Sequence, residues 1–176
     1  FFMPKILAYM TKRIDFYFDF ISPYSYLAYN KLKTLNRENQ ININYKPILL
    51  GGLHNLGGIT APAFNERKMK NMKNDCNLIA KKNNISFTWN TKFPINSLHL
   101  MRGYLLINDD LKNKYLDFCF DAYWKNNIDI ANEKNVTLIL NNVGFDKEKF
   151  FDGVKNSKIK EKLKDFTKDA FEKDIF

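Results

Sequence analysis

The stretch Asp15-Phe16-Tyr17-Phe18-Asp19-Phe20-Ile21-Ser22-Pro23-Tyr24-Ser25-Tyr26-Leu27 limits the fold of this chain more than any other. Its aromatic-rich first half favours a strand. Ser22 suits a helix N-cap, and Pro23 suits the first helical position, where its missing N–H is not needed. The strand therefore delivers a hydroxyl to the positive end of a helix, beside backbone N–H groups that have no intrahelical partner. An anion is stabilised at such a place. Taken alone, a Ser-Pro after a strand is first of all a cap.

The rest of the chain extends this pattern. Residues 13–20 alternate as a buried strand, and Tyr24, Leu27, Ala28, Leu32 and Leu35 recur at helical spacing over 23–38. Residues 41–47 alternate at period two and predict a second strand. Strand, helix, strand in that order implies a parallel pair with a right-handed crossover. Gly51, Gly52, Gly57, Gly58 and Pro62 then predict a loop. Met69, Met72, Cys76 and Ile79 share a face of a helix over about 64–84, and further helices are expected over about 95–108, 110–126, 132–142, 146–153 and 156–174.

Composition removes several function classes. With 176 residues, 45% of them apolar and 15% aromatic, the chain is one domain, or one domain with a helical insertion. It has no apolar run of bilayer length, so no membrane role is expected. The two cysteines, Cys76 and Cys119, are not in Cys-x-x-Cys spacing and fall at helical apolar positions, as buried free thiols would. A reduced, cytoplasmic setting follows. The net charge of +9 raises the question of nucleic acid. The basic residues are spread through helices beside Asn, Asp and Glu, with no Arg cluster or zinc spacing, so nucleic-acid binding is not expected. His54 and His99 share no ligand spacing, and no metal is assigned. Ser22 lacks the Gly-x-Ser-x-Gly elbow of a hydrolase.

The segment Phe16 to Leu27, with Pro47-Ile48-Leu49-Leu50-Gly51-Gly52, Lys68 and Phe93-Pro94-Ile95-Asn96-Ser97-Leu98, resembles the family of 2-hydroxychromene-2-carboxylate isomerases and kappa-class glutathione transferases. The spacing from Ser22 through Pro47, Gly52, Gly58 and Pro62 to Lys68 follows it, and Tyr123-Trp124-Lys125-Asn126-Asn127-Ile128-Asp129-Ile130 is similar to its helical region. The tetrapeptide Ser22-Pro23-Tyr24-Ser25 stands where thioredoxin-like proteins carry Cys-x-x-Cys. Two serines cannot exchange disulfides, so redox chemistry at this site is excluded. A serine hydroxyl can donate a hydrogen bond to a thiolate brought by a ligand, and the soluble thiol this points to is glutathione.

The resemblance implies a role for particular residues. Ser22 matches the serine that activates glutathione, and Lys68 would bind its glycine carboxylate; the alternative for Lys68 is a solvated lysine beside Arg67 and Lys70. Asn96, Ser97 and Arg102 would border the substrate cleft, where Arg102 meets a carboxylate or, alternatively, a structural ion pair. Tyr24 lines the ligand cleft at the helix start or simply packs. Ser25 is expected to bond helix backbone, and Trp124 to pack among the helices or, alternatively, to border the cleft. One departure from the family is Ile59, which stands where an Asn often follows the second glycine.

The expected architecture is α/β: residues 1–12 as an N-terminal extension, 13–62 as a thioredoxin-like βαβ unit and 63–176 as a large all-helical insertion. The lead Phe1 to Tyr9 lacks a signal peptide's features, and Met10 is the expected natural start. At the other end the family runs on into Gly-x-Pro-Thr and a final ββα unit, which this chain is expected to lack. The implied activity is that of a glutathione-dependent isomerase acting on an aromatic-derived conjugated carboxylate. In the scheme the resemblance implies, the thiolate adds to the substrate, the ring opens, a bond rotates, and elimination returns glutathione. A kappa-like glutathione transferase and a non-catalytic thioredoxin-fold remnant are the alternatives. Partners are then glutathione and a small molecule; the oligomeric state stays open, with a homodimer among the expectations.

Overall fold

The computed structural model describes residues 12–37 and 41–175. The extension expected over 1–12 lies outside the described residues, apart from Lys12. Strand β1 (Lys12–Phe18) runs into helix α1 (Pro23–Arg37), and the chain returns through strand β2 (Ile41–Pro47). The two strands pair in parallel, with Phe16 opposite Tyr45 and Phe18 opposite Pro47. The predicted βαβ unit is therefore present.

Strand β1 stops at Phe18, two residues before the expected end at Phe20. The reason is local. The Asp19 carboxylate accepts the N–H of Ile21 at 3.1 Å, and the Asp19 carbonyl accepts the N–H of Ser22 at 3.0 Å. A side chain that bonds the backbone two residues on folds the chain into a turn instead of continuing the ladder.

The glycine loop expected after β2 is largely a helix, α2 (Leu50–Leu56), which contains Gly51 and Gly52. Glycine disfavours a helix by roughly 1 kcal/mol relative to alanine. Here tertiary contacts offset that cost: Leu53 is buried against Ile48 and Ala170, and the side chains of Asp19 and Thr167 accept the N–H groups of Leu50 and Leu49. The chain turns only at Gly57 and Gly58; at φ +61° Gly58 occupies the left-handed region.

A short 3₁₀ turn (Pro62–Phe64) leads into α3 (Glu66–Lys82), capped by Asn65, whose Oδ1 accepts the N–H of Lys68 at 3.0 Å. An irregular stretch from 83 to 97 precedes α4 (Leu98–Leu106) and α5 (Asp109–Trp124). Helices α6 (Glu133–Val143), α7 (Lys147–Gly153) and α8 (Ser157–Glu172) complete the described chain.

The βαβ unit and the helices share one core. Phe18 meets Tyr104 edge-on with ring centroids 5.1 Å apart, and Phe20 meets Phe120 at 4.9 Å. Tyr29 of α1 stacks on Phe120 as well, with ring centroids 5.1 Å apart. Aromatic pairs in such geometries add about 0.5–1.5 kcal/mol each beyond burial. The turn bearing Ser22 is thus seated on a packed aromatic floor.

Candidate active site

Ser22 stands at the N-terminus of α1, and its Oγ accepts the N–H of Ser25 at 3.1 Å. This is the cap expected from the Ser-Pro pair, and it leaves the hydroxyl proton uncommitted among the described residues. Capping and donation to an incoming anion are therefore compatible in one side chain. Pro23 is buried at the first helical position.

Asp19 is the residue that the sequence reading missed. In an alternating strand pattern it passes for another strand position. It is 1% exposed, and its carboxylate collects three donors: the N–H of Ile21, the N–H of Leu50 at 2.8 Å and the side chain of Ser97. Burial pushes its pKa above the ordinary carboxylate value, against the opposing pull of those hydrogen bonds, Ser97 first. Through these bonds one side chain ties the β1–α1 turn to the first turns of α2 and α4. Trp124 also braces this turn: it is fully buried, and its Nε1 donates to the Phe20 carbonyl at 2.8 Å.

Two clefts flank this hub. The first, about 380 Å³, is lined by Tyr24, Pro62, Arg67, Lys68, Asn71 and Met72. It brings Tyr24 and Lys68 together, two of the residues picked out from the sequence. Tyr24 donates to Asp75 Oδ2 at 2.8 Å, which fixes the ring against α3, and Lys68 is exposed in the first turn of that helix. The second cleft, about 590 Å³, lies between α2, α4 and α8 and contains Arg102. Its walls include Leu49 and Leu98, chain neighbours of Leu50 and Ser97, the Asp19 partners.

Asn96 joins neither lining. It is exposed, and its Oδ1 accepts the N–H of Leu98 at 2.9 Å, so it opens α4. Cys76 and Cys119 are buried and free, and burial pushes the Cys76 thiol up to about 12 and that of Cys119 higher still. Neither thiol is ionised near neutral pH, so neither offers a thiolate. Among the described residues, no group of three His, Cys, Asp or Glu side chains is placed to hold a metal ion, and no helix is long and apolar enough to cross a membrane.

Comparison with known proteins places this geometry. The model of the DSBA-like thioredoxin domain matches residues 13–176. The chain belongs to this family. Within the DSBA-like group it is 28% identical over 169 residues to the 2-hydroxychromene-2-carboxylate isomerase of Sphingobium xenophagum, a match spanning 95% of this chain and 86% of that protein. It is 26% identical over 166 residues to the isomerase of the same name from Pseudomonas putida, spanning 93% and 81% of the two chains. A shorter match, 38% identical over 80 residues, reaches glutathione S-transferase kappa 1 of Caenorhabditis elegans and spans 45% of this chain and 33% of that protein. These relatives are enzymes, isomerases and a transferase by name. The solved structure of a 2-hydroxychromene-2-carboxylate isomerase shares the fold at a TM-score of 0.81 and 24% identity, covering 93% of this chain and 81% of that one.

Proposed function

We propose that this protein is a glutathione-dependent isomerase acting on an aromatic-derived conjugated carboxylate. The observation that carries the reading is the Ser22 hydroxyl, held at the α1 N-terminus with its proton uncommitted, in a motif that contains no sulfur. A thiol of pKa near 8.5 is only a few per cent ionised at pH 7. Donation from Ser22 Oγ and the field of the α1 N-terminus both favour its charged form.

The first cleft fits glutathione in charge. Lys68 and Arg67 supply cations for its carboxylates, and Tyr24 places the cleft two residues from Ser22. When bound, glutathione supplies a nucleophilic sulfur that adds to the conjugated system and is later eliminated. Ser22 acts as neither base nor acyl-transfer nucleophile; it orients and stabilises sulfur. Asp19 and Trp124 hold the Ser22 turn in place. Reaction in a cytoplasmic setting, where glutathione is abundant and thiols stay reduced, belongs to the same proposal.

The match to a kappa-class transferase favours a second reading, in which the same thiolate step consumes glutathione. One experiment separates the two. The protein is incubated with 2-hydroxychromene-2-carboxylate, with and without glutathione, while substrate and free thiol are followed together. Isomerisation that requires glutathione but leaves its concentration unchanged is the expected result. Stoichiometric thiol loss would favour the transferase, and isomerisation at full rate without glutathione would remove the thiol from the mechanism.

A further inference from the structure

Helix α3 carries its charges along the first cleft in a fixed order. Lys68, Asn71, Met72 and Asp75 follow one another at the spacing of a single helix face. The first three line the cleft. Asp75 joins them through the wall residue Tyr24, whose hydroxyl donates to its Oδ2 at 2.8 Å. Arg67 adds a second cation at the Lys68 end. Among the described residues neither Arg67, Lys68 nor Asp75 makes an ion pair, in a chain whose net charge is +9. The cleft therefore runs from a cationic end to an anionic one, and neither end is neutralised by the described chain.

That order selects among occupants. A molecule with a carboxylate at each end and no cation is attracted at Lys68 and repelled at Asp75. A molecule with an anionic end and a cationic end fits, and in one direction only. Lys68 and Asp75 are seven residues apart, about 10 Å along the helix axis, and an extended tripeptide spans roughly the same length. Asn71, one turn before Asp75, offers amide N–H groups to a carboxylate, while Asp75 accepts from an ammonium. An ammonium and a carboxylate on one carbon, the head of a free amino acid, satisfy this pair together. Buried Met72 supplies an apolar floor between the two ends.

We propose that Asp75 and Asn71 form the subsite for the γ-glutamyl head of the thiol, Asp75 taking its α-ammonium and Asn71 its α-carboxylate, with the glycine end at Lys68. The inference rests on the reading of this cleft as a glutathione site and adds a specificity to it: the protein selects its thiol by a free amino-acid head as well as by sulfur and glycine. Tyr24 holds the Asp75 carboxylate in place for that contact. Burial first, and the hydrogen bond to Asp75 next, raise the Tyr24 pKa, so the phenol keeps the proton it donates.

Binding calorimetry at neutral pH tests it with three thiols: glutathione, glutaryl-cysteinylglycine (glutathione without its α-amino group) and γ-glutamylcysteine (glutathione without its glycine). The wild-type protein should bind glutathione about three- to tenfold more tightly than the deamino analogue, the scale of a partly exposed charge pair. High salt should shrink that preference. Asp75→Asn, which keeps an acceptor for the Tyr24 hydroxyl, should erase it and leave the preference for glutathione over γ-glutamylcysteine intact. Lys68→Met should do the reverse. The wild-type comparison needs no variant and stays decisive if Asp75→Asn does not fold. Equal wild-type affinity for glutathione and its deamino analogue, or a preference that survives in folded Asp75→Asn, would overturn the subsite and leave glutathione in the cleft. If none of the three thiols binds, subsite and thiol reading fall together. If the binding preferences appear as expected while isomerisation runs at full rate without glutathione, the thiol mechanism falls and the subsite stands.

Discussion

The Asp19 carboxylate accepts the backbone N–H of Leu50 at 2.8 Å, joining the end of β1 to the first turn of a helix 31 residues away. The bond is buried and carries a proton-linked signature. Because burial raises the Asp19 pKa, the folded chain keeps this proton at pH values where an unfolded aspartate, near 3.9, has lost it. The native state then binds more protons, and the Asp19 contribution to stability falls as pH rises from about 3.9 through the raised native value.

Asp19→Asn has no such titration. The stability of the wild type relative to this variant should therefore decline with rising pH across that window, by up to about 1.4 kcal/mol per pH unit. Urea denaturation of both proteins at a series of pH values measures the difference and cancels the other carboxylates. A pH-independent gap would show that Asp19 titrates as it does in the unfolded chain.

Trp124→Phe should destabilise the protein by about 2–4 kcal/mol, since it leaves a buried carbonyl at Phe20 without its donor and removes part of a packed ring. Chemical denaturation gives the number. A cost below about 0.5 kcal/mol, the scale of a neutral surface substitution, would mean that the indole does not brace the Ser22 turn.

What the sequence made legible was whatever repeats at a fixed period. Strands β1 and β2 alternate, and α1, α3, α5 and α8 carry apolar stripes, so their type and order follow from residues within each element. Helix α2 escaped because its support is remote: two glycines speak against it locally, while Leu53, Asp19 and Thr167 hold it from other elements. Asp19 escaped for a related reason, since a carboxylate in a strand pattern says nothing about three donors arriving from elsewhere in the chain. Ser22 was legible because cap chemistry is local, written in four consecutive residues. Arg102 was picked out, yet the lysines that share its cleft come from α8, nearly sixty residues on, and no local pattern joins them.

Ser22→Ala removes both functions of one hydroxyl. The lost cap should cost about 1 kcal/mol of stability, small enough for the fold to survive. The larger consequence falls on the ligand, because the apparent pKa of bound glutathione should rise towards its free value near 8.5. Thiolate absorbance, titrated with the enzyme present, measures it; an unchanged curve would remove Ser22 from the mechanism. Ser22→Cys should not create a dithiol oxidase, since Ser25 offers no second sulfur. Insulin reduction by that variant at a thioredoxin-like rate would contradict this.

Lys68 tests whether the first cleft holds glutathione in the ground state. Its ammonium is exposed at the start of α3, beside Tyr24 and Arg67. A cation near a carboxylate remote from the sulfur supports bound thiol and transition state alike, so its loss should raise KM for glutathione and leave kcat nearly unchanged. An exposed pair contributes roughly 1 kcal/mol or less, so the rise in KM for Lys68→Met should stay below about tenfold. High salt should shrink the wild-type advantage, because the pair is open to screening. A Lys68→Met variant with unaltered glutathione affinity at low salt would return Lys68 to the solvated face of α3 and leave Arg67 as the cation to test next.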